Sequence, residues 1–351
     1  MSHTLLVDES HLMMRNLNVR NLKLLKDNEG HPTGGLYGTL SSINFCLRQD
    51  PTINKIYLLK DGHAKWRKDL FPGYKASRGN NPDSPKYKSY ITPDSITGWS
   101  PKDTITWTRK KLTEIASVLG LRVFYDETSE ADDLAYLVGK ELLQKGDKVT
   151  FMTSDRDWSQ LIYIFKDYDV DIWDGMKREL ITKDNFKEKY EVDPEWFIFH
   201  KAMEGDGSDD IPGVVEGCGT KAIQYLIELA TENGLHPDSE TFKEDLYKLV
   251  DSLDENSMGR YKKLKNLTTE ESKKQLELNL KLVDFRQCPH KSTISSDILQ
   301  ESIKPVKLDF GAASVLLKEL NFNLDPDKKK DSNRSLASDI IAMGSPWYRL
   351  Q

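Results

Sequence analysis

Four short apolar runs, separated by stretches of helical periodicity, each lead into acidic residues. Thr4-Leu5-Leu6-Val7 precedes Asp8, and Ile56-Tyr57-Leu58-Leu59 leads to Asp61-Gly62. Arg122-Val123-Phe124-Tyr125 comes before Glu130, and Val149-Thr150-Phe151-Met152 before Ser154-Asp155-Arg156-Asp157. Short apolar runs bounded by turn residues read as buried strands, and Leu36, Leu40, Ile43 and Leu47 between the first two carry helical spacing. The alternation predicts an α/β fold: a mostly parallel central sheet with right-handed crossovers, flanked by helices. In such sheets the functional crevice lies outside the carboxyl ends of the strands. The pattern therefore delivers one carboxylate after another to a single rim.

The acids are densest at Ser129-Glu130-Ala131-Asp132-Asp133, just before the helix-period run Leu134, Leu137, Val138, Leu142. One such cluster is an ordinary acid-rich helix start, with Ser129 as a cap and the acids facing the helix dipole. A single strand-end Asp is likewise an ordinary turn residue. Recurrence changes the reading, because Asp8, Asp61, Asp155, Asp157, Asp206 and Asp209 occupy comparable places. Carboxylates gathered together raise one another's pKa, so a fold that collects them calls for bound cations. An all-oxygen shell suits magnesium or manganese.

Net charge of −6 and pI near 5.8 argue against a nucleic-acid partner on average. Locally the sign reverses: residues 60–111 hold 12 Lys+Arg against 5 Asp+Glu, 12 − 5 = +7. Within this stretch Lys65-Trp66-Arg67-Lys68, Tyr74-Lys75, Arg78, Lys86-Tyr87-Lys88 and Trp99 interleave rings with cations, a pattern that stacks bases and meets phosphates of a single strand. The long connection 63–106 is an insertion of the functional kind, with a regular helix resuming from Trp107 to Leu119. A mobile surface insertion whose rings pack on the core is the plainer alternative.

Asp171 to Leu180 reads as a hairpin around Asp174-Gly175 at the sheet edge. The α/β core is expected over 1–181, a helical DNA-binding region over 182–324, and a flexible tail over 325–351. Around 201–230, Gly217 and Gly219 let backbone N–H groups approach a phosphate, and Lys221 adds a charge at the start of a helix. This is a helix-hairpin-helix pattern that grips a duplex backbone without reading sequence; the spacing is wrong for a Walker A loop. A glycine-rich helix cap is the plainer reading. Three widely spaced cysteines, Cys46, Cys218 and Cys288, predict reduced, buried thiols rather than disulfides or zinc. No run is long enough to span a membrane and no signal-peptide core follows Met1, which predicts a cytoplasmic protein with no membrane partner.

Taken together, Leu5-Leu6-Val7-Asp8, Pro72-Gly73-Tyr74-Lys75-Ala76-Ser77-Arg78, Glu130-Ala131-Asp132-Asp133, Ser154-Asp155-Arg156-Asp157 and Gly205-Asp206-Gly207-Ser208-Asp209 resemble the bacteriophage 5′ nucleases. That group comprises flap endonucleases and 5′-to-3′ exonucleases and is also found at the amino end of bacterial DNA polymerase I. The resemblance runs from about Leu5 to Phe285. It implies a PIN-like fold with an arch insertion, and two or more magnesium or manganese ions. Asp8, Asp61, Glu130, Asp132 and Asp133 then serve one ion, and Asp155, Asp157, Asp206 and Asp209 the second.

A metal-activated water would attack the phosphodiester in line. Lys75 is the implied electrophilic contact to the scissile phosphate, with Arg78 and Arg67 supporting it. Arg67, Tyr74, Lys75, Arg78, Lys86, Lys88, Gly217, Gly219 and Lys221 are the implied DNA contacts, and the hairpin can hold a potassium ion. The expected partners are 5′ flaps and single-strand/duplex junctions, including RNA/DNA primers, and a replication protein reached through the tail; the chain is expected to be monomeric, in the host cytoplasm if phage-encoded. Glu9 and Asp210 depart from the family pattern and add negative charge near the metals. A PIN-like ribonuclease and a non-catalytic DNA-junction binder are the competing readings.

Overall fold

A computed structural model describes residues 2–78, 85–254, 258–288, 308–322, 335–342 and 345–350. Six strands form one sheet: β1 (His3–Asp8), β2 (Lys55–Lys60), β3 (Arg122–Tyr125), β4 (Lys148–Met152), β5 (Val170–Asp174) and β6 (Glu179–Ile181), in the order β3-β2-β1-β4-β5-β6. The first five are parallel, and β6 pairs antiparallel with β5 to close one edge, as the Asp174-Gly175 turn predicts. The chain builds outward from β1 in one direction and then restarts beside it with β4. The crevice between the carboxyl ends of β1 and β4 is thus the topological switch point, where open sheets bind ligands. Val7 is level with Met152 and Asp8 with Leu59, so the strand ends are flush.

The helices are α1 (Glu9–Leu17), α2 (Gly34–Gln49), α3 (Lys65–Leu70), α4 (Pro85–Ile91), α5 (Pro101–Val118), α6 (Ala131–Gln144) and α7 (Gln160–Ile164). They continue as α8 (Phe186–Tyr190), α9 (Phe197–Glu204), α10 (Thr220–Glu232), α11 (Phe242–Ser252), α12 (Glu270–Val283), α13 (Phe310–Glu319) and α14 (Leu336–Ile341). Strand side chains alternate between faces. Leu6 joins the core containing α6, α7 and the helical region, while Leu5 and Val7 join the core containing α2, α5 and the C-terminal segments. Among the described residues no helix is long and apolar enough to cross a membrane.

Three expectations change. Helix α5 starts at Pro101 rather than Trp107, because the Ser100 hydroxyl caps it by accepting from the Asp103 N–H at 3.1 Å and Pro101 suits the first turn. Its approach is pinned: Lys23 Nζ lies 2.9 Å from Asp94 Oδ2, Lys26 donates to the Thr97 carbonyl, and the His31 ring stacks on Trp107. Cys46 and Cys288 are buried but Cys218 is only half-buried. The described part of the tail is docked rather than loose. Leu336, Ile340, Trp347 and Leu350 are buried against α2 and α13, and the Trp347 indole donates to Asn44 Oδ1 at 3.0 Å. Residues 325–334 of that tail lie outside the described residues.

Candidate active site

The rim holds one cleft of about 420 Å³, lined by Asp8, Asp61, Glu130, Asp132, Asp155, Asp157, Asp206 and Asp209 together with Lys75, Arg109, Arg156 and Lys201. Local backbone needs fix each carboxylate. Asp8 caps α1 by accepting from the His11 N–H (3.0 Å), while its second oxygen accepts from the Thr153 hydroxyl (3.0 Å). Asp61 accepts from the Ala131 N–H at 2.9 Å, tying the end of β2 to the start of α6. That tie requires Gly62, whose N–H donates to the Ser129 carbonyl and where an added Cβ would sit 2.0 Å from the Asp126 carbonyl oxygen. Asp132 accepts from the Trp158 indole at 2.8 Å, and Asp155 from the Asp157 N–H at 2.9 Å. Asp206 and Asp209 come from the other side, on a loop closed by paired backbone bonds between Asp206 and Ile211.

The electrostatics follow from crowding. Burial and the neighbouring Asp61 push the Asp8 carboxyl well above its usual value; burial, Asp155 and Glu130 do the same to Asp132. Burial lifts Asp157 to about 6 against the pull of Lys201. Glu130 goes the other way: burial would raise it, but Lys75 and Arg67 outweigh that and hold it below the ordinary range. Two lysines supply the countercharge. Lys75 Nζ sits 2.6 Å from Glu130 Oε1 and 3.6 Å from Asp209 Oδ2, and Lys201 Nζ bridges Asp157 (2.7 Å) and Asp206 (2.8 Å).

With the lysines between them, no three His, Cys, Asp or Glu side chains among the described residues converge closely enough to hold an ion as they stand. The donors nevertheless fit a hard cation. They are all-oxygen, partly buried and mutually repelling, which a divalent ion relieves.

Three predicted roles are corrected. Asp133 is fully buried away from the cleft, bonded to the Arg67 guanidinium at 2.8 and 3.1 Å and accepting from the Glu130 N–H at 3.0 Å. Arg67, 1% exposed, spends its donors on Asp133, Glu130 and the Leu282 carbonyl; an arginine so enclosed holds α3 to α6 and α12 and reaches no phosphate. Tyr74 is buried too, its hydroxyl 2.8 Å from Glu130 Oε2 and 3.1 Å from Asp209 Oδ2, so its ring is not offered to a base. Lys75 is in the cleft, in a left-handed backbone conformation (φ +52°) with its N–H donating to the Asp209 carbonyl. Lys88 is exposed on α4; the side chains of Arg78 and Lys86 lie outside the described residues. Glu9 is buried 4.0 Å from Arg109, and Asp210 accepts from the Ser77 N–H at 2.7 Å, so these acids face a cation and a donor.

Gly217, Gly219 and Lys221 line a second cleft of about 490 Å³ with Arg260, Tyr261 and Lys263. Gly217 has φ +77°, and a Cβ there would strike Lys263 Nζ at 2.5 Å; Gly219 begins α10 with open space before it. Sequence reasoning missed Arg260 and Lys263, although Gly259-Arg260-Tyr261-Lys262-Lys263 is a basic run, and it missed Lys201 and Arg109 in the main cleft.

The family model of the 5′-3′ exonuclease N-terminal resolvase-like domain matches residues 3–191. The 5′-3′ exonuclease of Buchnera aphidicola (subsp. Acyrthosiphon pisum) is 28% identical over 204 residues, which cover 58% of this chain but only 63% of the Buchnera protein. The 5′-3′ exonuclease of Aquifex aeolicus is 27% identical, over 64% of this chain and 74% of its own length. Among solved structures, the bacteriophage T5 5′-exonuclease with bound divalent metal ions superposes with a TM-score of 0.62 at 21% identity, covering 91% of this chain and 99% of the T5 protein, so the architecture is shared. Because the family model spans more than half of the residues, the chain belongs to the 5′-3′ exonuclease N-terminal resolvase-like domain family.

Proposed function

We propose that this chain is a divalent-metal-dependent, structure-specific 5′ nuclease, a flap endonuclease and 5′-to-3′ exonuclease. It would hydrolyse phosphodiester bonds in branched or 5′-ended DNA during replication or RNA-primer removal. One observation carries the reading: eight carboxylates from both halves of the sheet and from the Gly205–Gly213 loop line one cleft at the switch point. Support comes from the T5 flap endonuclease, which was solved in complex with DNA and metal ions.

Asp8, Asp61, Glu130 and Asp132 are assigned to one cation, and Asp155, Asp157, Asp206 and Asp209 to the second. When bound, such cations supply a hydroxide nucleophile and stabilise the developing charge. This chain's residues do the rest. Burial strengthens each charge contact to a phosphate entering the cleft. Lys75 and Lys201 neutralise the carboxylates in the metal-free cleft and, where cations held that charge instead, would be available to phosphate oxygens. The Gly217–Lys221 hairpin with Arg260 and Lys263 holds the adjoining duplex.

The deciding measurement is cleavage of a 5′-labelled DNA flap with magnesium, beside an EDTA control and a matching RNA flap. Release near the junction that needs magnesium and favours DNA is expected. Tight, salt-sensitive binding without cleavage would instead leave a junction binder, and preference for the RNA flap would favour a ribonuclease. In EDTA, Arg260→Ala and Lys263→Ala are each expected to weaken duplex binding whatever its sequence and to lower the slope of log affinity on log salt by about 1. Fluorescence anisotropy over a salt series reads this, and an unchanged slope would remove these residues from the interface.

A further inference from the structure

The cations at the carboxylate cleft are not equivalent. Lys75 and Lys201 are each spent on two carboxylates, and Arg156 projects over the rings of Tyr190 and Phe197. Arg109 differs. Its Nη2 donates to the Ser10 hydroxyl at 3.0 Å, while its Nε is buried without a hydrogen-bond partner. The nearest carboxylate oxygen, Glu9 Oε2, lies 4.0 Å from that nitrogen, too far for a hydrogen bond. The side chain is about one-third exposed (32%) and lines the cleft with Ser10.

A guanidinium offers five donors in a planar fork, and an arginine used only to balance Glu9 would close on it in a paired geometry. Here the fork is steadied at one end by a hydroxyl and neutralised by a carboxylate held just out of bonding range. Nε is shut away from the cleft, so the donors left for an acceptor arriving there are those of the terminal Nη groups on the exposed part of the side chain. The chemistry that suits them is a phosphate, which takes two parallel N–H bonds from such a fork.

Placement narrows which phosphate. Arg109 stands on α5, whose core lies on one face of the sheet, whereas Asp206, Asp209 and the glycine hairpin belong to the helices packed on the other. The hairpin is the element that would hold duplex, and α5 is the helix that returns the chain from the 63–100 insertion. We propose that Arg109, steadied by Ser10 and Glu9, grips a backbone phosphate of the cleaved strand on the 5′ side of the scissile bond, away from the duplex-holding hairpin. This rests on the nuclease reading above.

The test crosses a protein change with a substrate change. Steady-state cleavage is measured for wild type, Arg109→Ala and Arg109→Gln on two DNA flaps. One is natural; the other carries neutral methylphosphonates at the three linkages just 5′ of an unaltered scissile bond. Arg109→Gln removes the charge and the fork but keeps the aliphatic stem and a polar end at the place of Nε, too short to reach Ser10, so it remains informative if Arg109→Ala folds poorly; the melting temperature of each variant is recorded. On the natural flap both variants are expected to lose about 10- to 100-fold in kcat/KM. On the neutral flap wild type should drop by a similar factor and the variants should drop little further, the non-additivity that marks a direct contact. Equal fold-losses on both flaps would overturn the inference and leave Arg109 a structural partner of Glu9. If wild type cleaves neither flap under magnesium, the nuclease reading fails first; wild-type cleavage of the natural flap with full activity in both variants sinks this inference alone.

Discussion

Asp8→Asn is expected to slow flap cleavage by about a thousandfold or more while raising the melting temperature of the metal-free protein by about 2–4 °C. The two effects have one cause. Asp8 is 4% exposed, and burial with Asp61 and Asp155 beside it makes its charged form costly. An amide removes the charge and keeps the shape. Its oxygen still accepts from the His11 N–H, so the α1 cap survives, and its nitrogen can donate to Thr153 where the carboxylate accepted. On the nuclease reading proposed above, what is lost is an anionic ligand, and with it affinity for a cation shared with the remaining carboxylates.

Trading stability for a charged, strained site is a common cost of function, so its reversal is the signature sought. Thermal melts in EDTA and cleavage assays in magnesium read both halves. Adding magnesium should then raise the melting temperature of wild type more than that of Asp8→Asn. Unimpaired cleavage would remove Asp8 from the metal set, and a lower metal-free melting temperature would refute the repulsion argument.

The rim was legible because its cause is local. A strand must end in a turn, a turn residue stands at the strand's carboxyl end, and in a parallel sheet those ends share one side; Asp8, Asp61, Glu130 and Asp155 could be placed from apolar runs alone. Arg67 shows where that logic stops. In sequence it sits in Lys65-Trp66-Arg67-Lys68, a basic run with nothing to distinguish the third residue from its neighbours. In the fold Lys65 and Lys68 face solvent while Arg67 turns inward to Asp133, 66 residues away. Helical geometry sends neighbours to different faces, but only the approach of α6 decides which face is inside. Asp133 was misassigned for the complementary reason: three acids in four positions cannot all point into one cleft from a helix start. The hairpin's glycines were readable as close-approach points, whereas Arg260 and Lys263 join them through packing that spans some forty residues.

The tail shows a different limit, and its energetics can be tested. The polar stretch Asp325-Pro326-Asp327-Lys328-Lys329-Lys330-Asp331 hides that Leu336, Ala337 and Ile340 share one helical face and that Trp347 and Leu350 follow. Trp347 is fully buried in the core formed by α2, α5 and α13, and it satisfies Asn44, itself 6% exposed. Trp347→Ala is therefore expected to cost about 3–5 kcal/mol, the usual range for emptying an aromatic site, with the orphaned Asn44 amide placing it toward the upper end. Trp347→Phe should cost less, since the ring volume is largely kept and only the indole bond is lost.

Urea unfolding in EDTA gives both values from shifts in midpoint at constant slope. Because α2 and α5 pack on the sheet face opposite α6, the loss should leave the cleft's geometry in place. The folded fraction of each variant is then expected to cleave and to bind duplex as wild type does. A small change in the unfolding midpoint for Trp347→Ala would mean that the C-terminal segment contributes little to holding the core, and would return it to the role of a free arm open to a partner. A large loss of cleavage by fully folded protein would mean instead that the segment reaches the site through α5, the helix that carries Arg109.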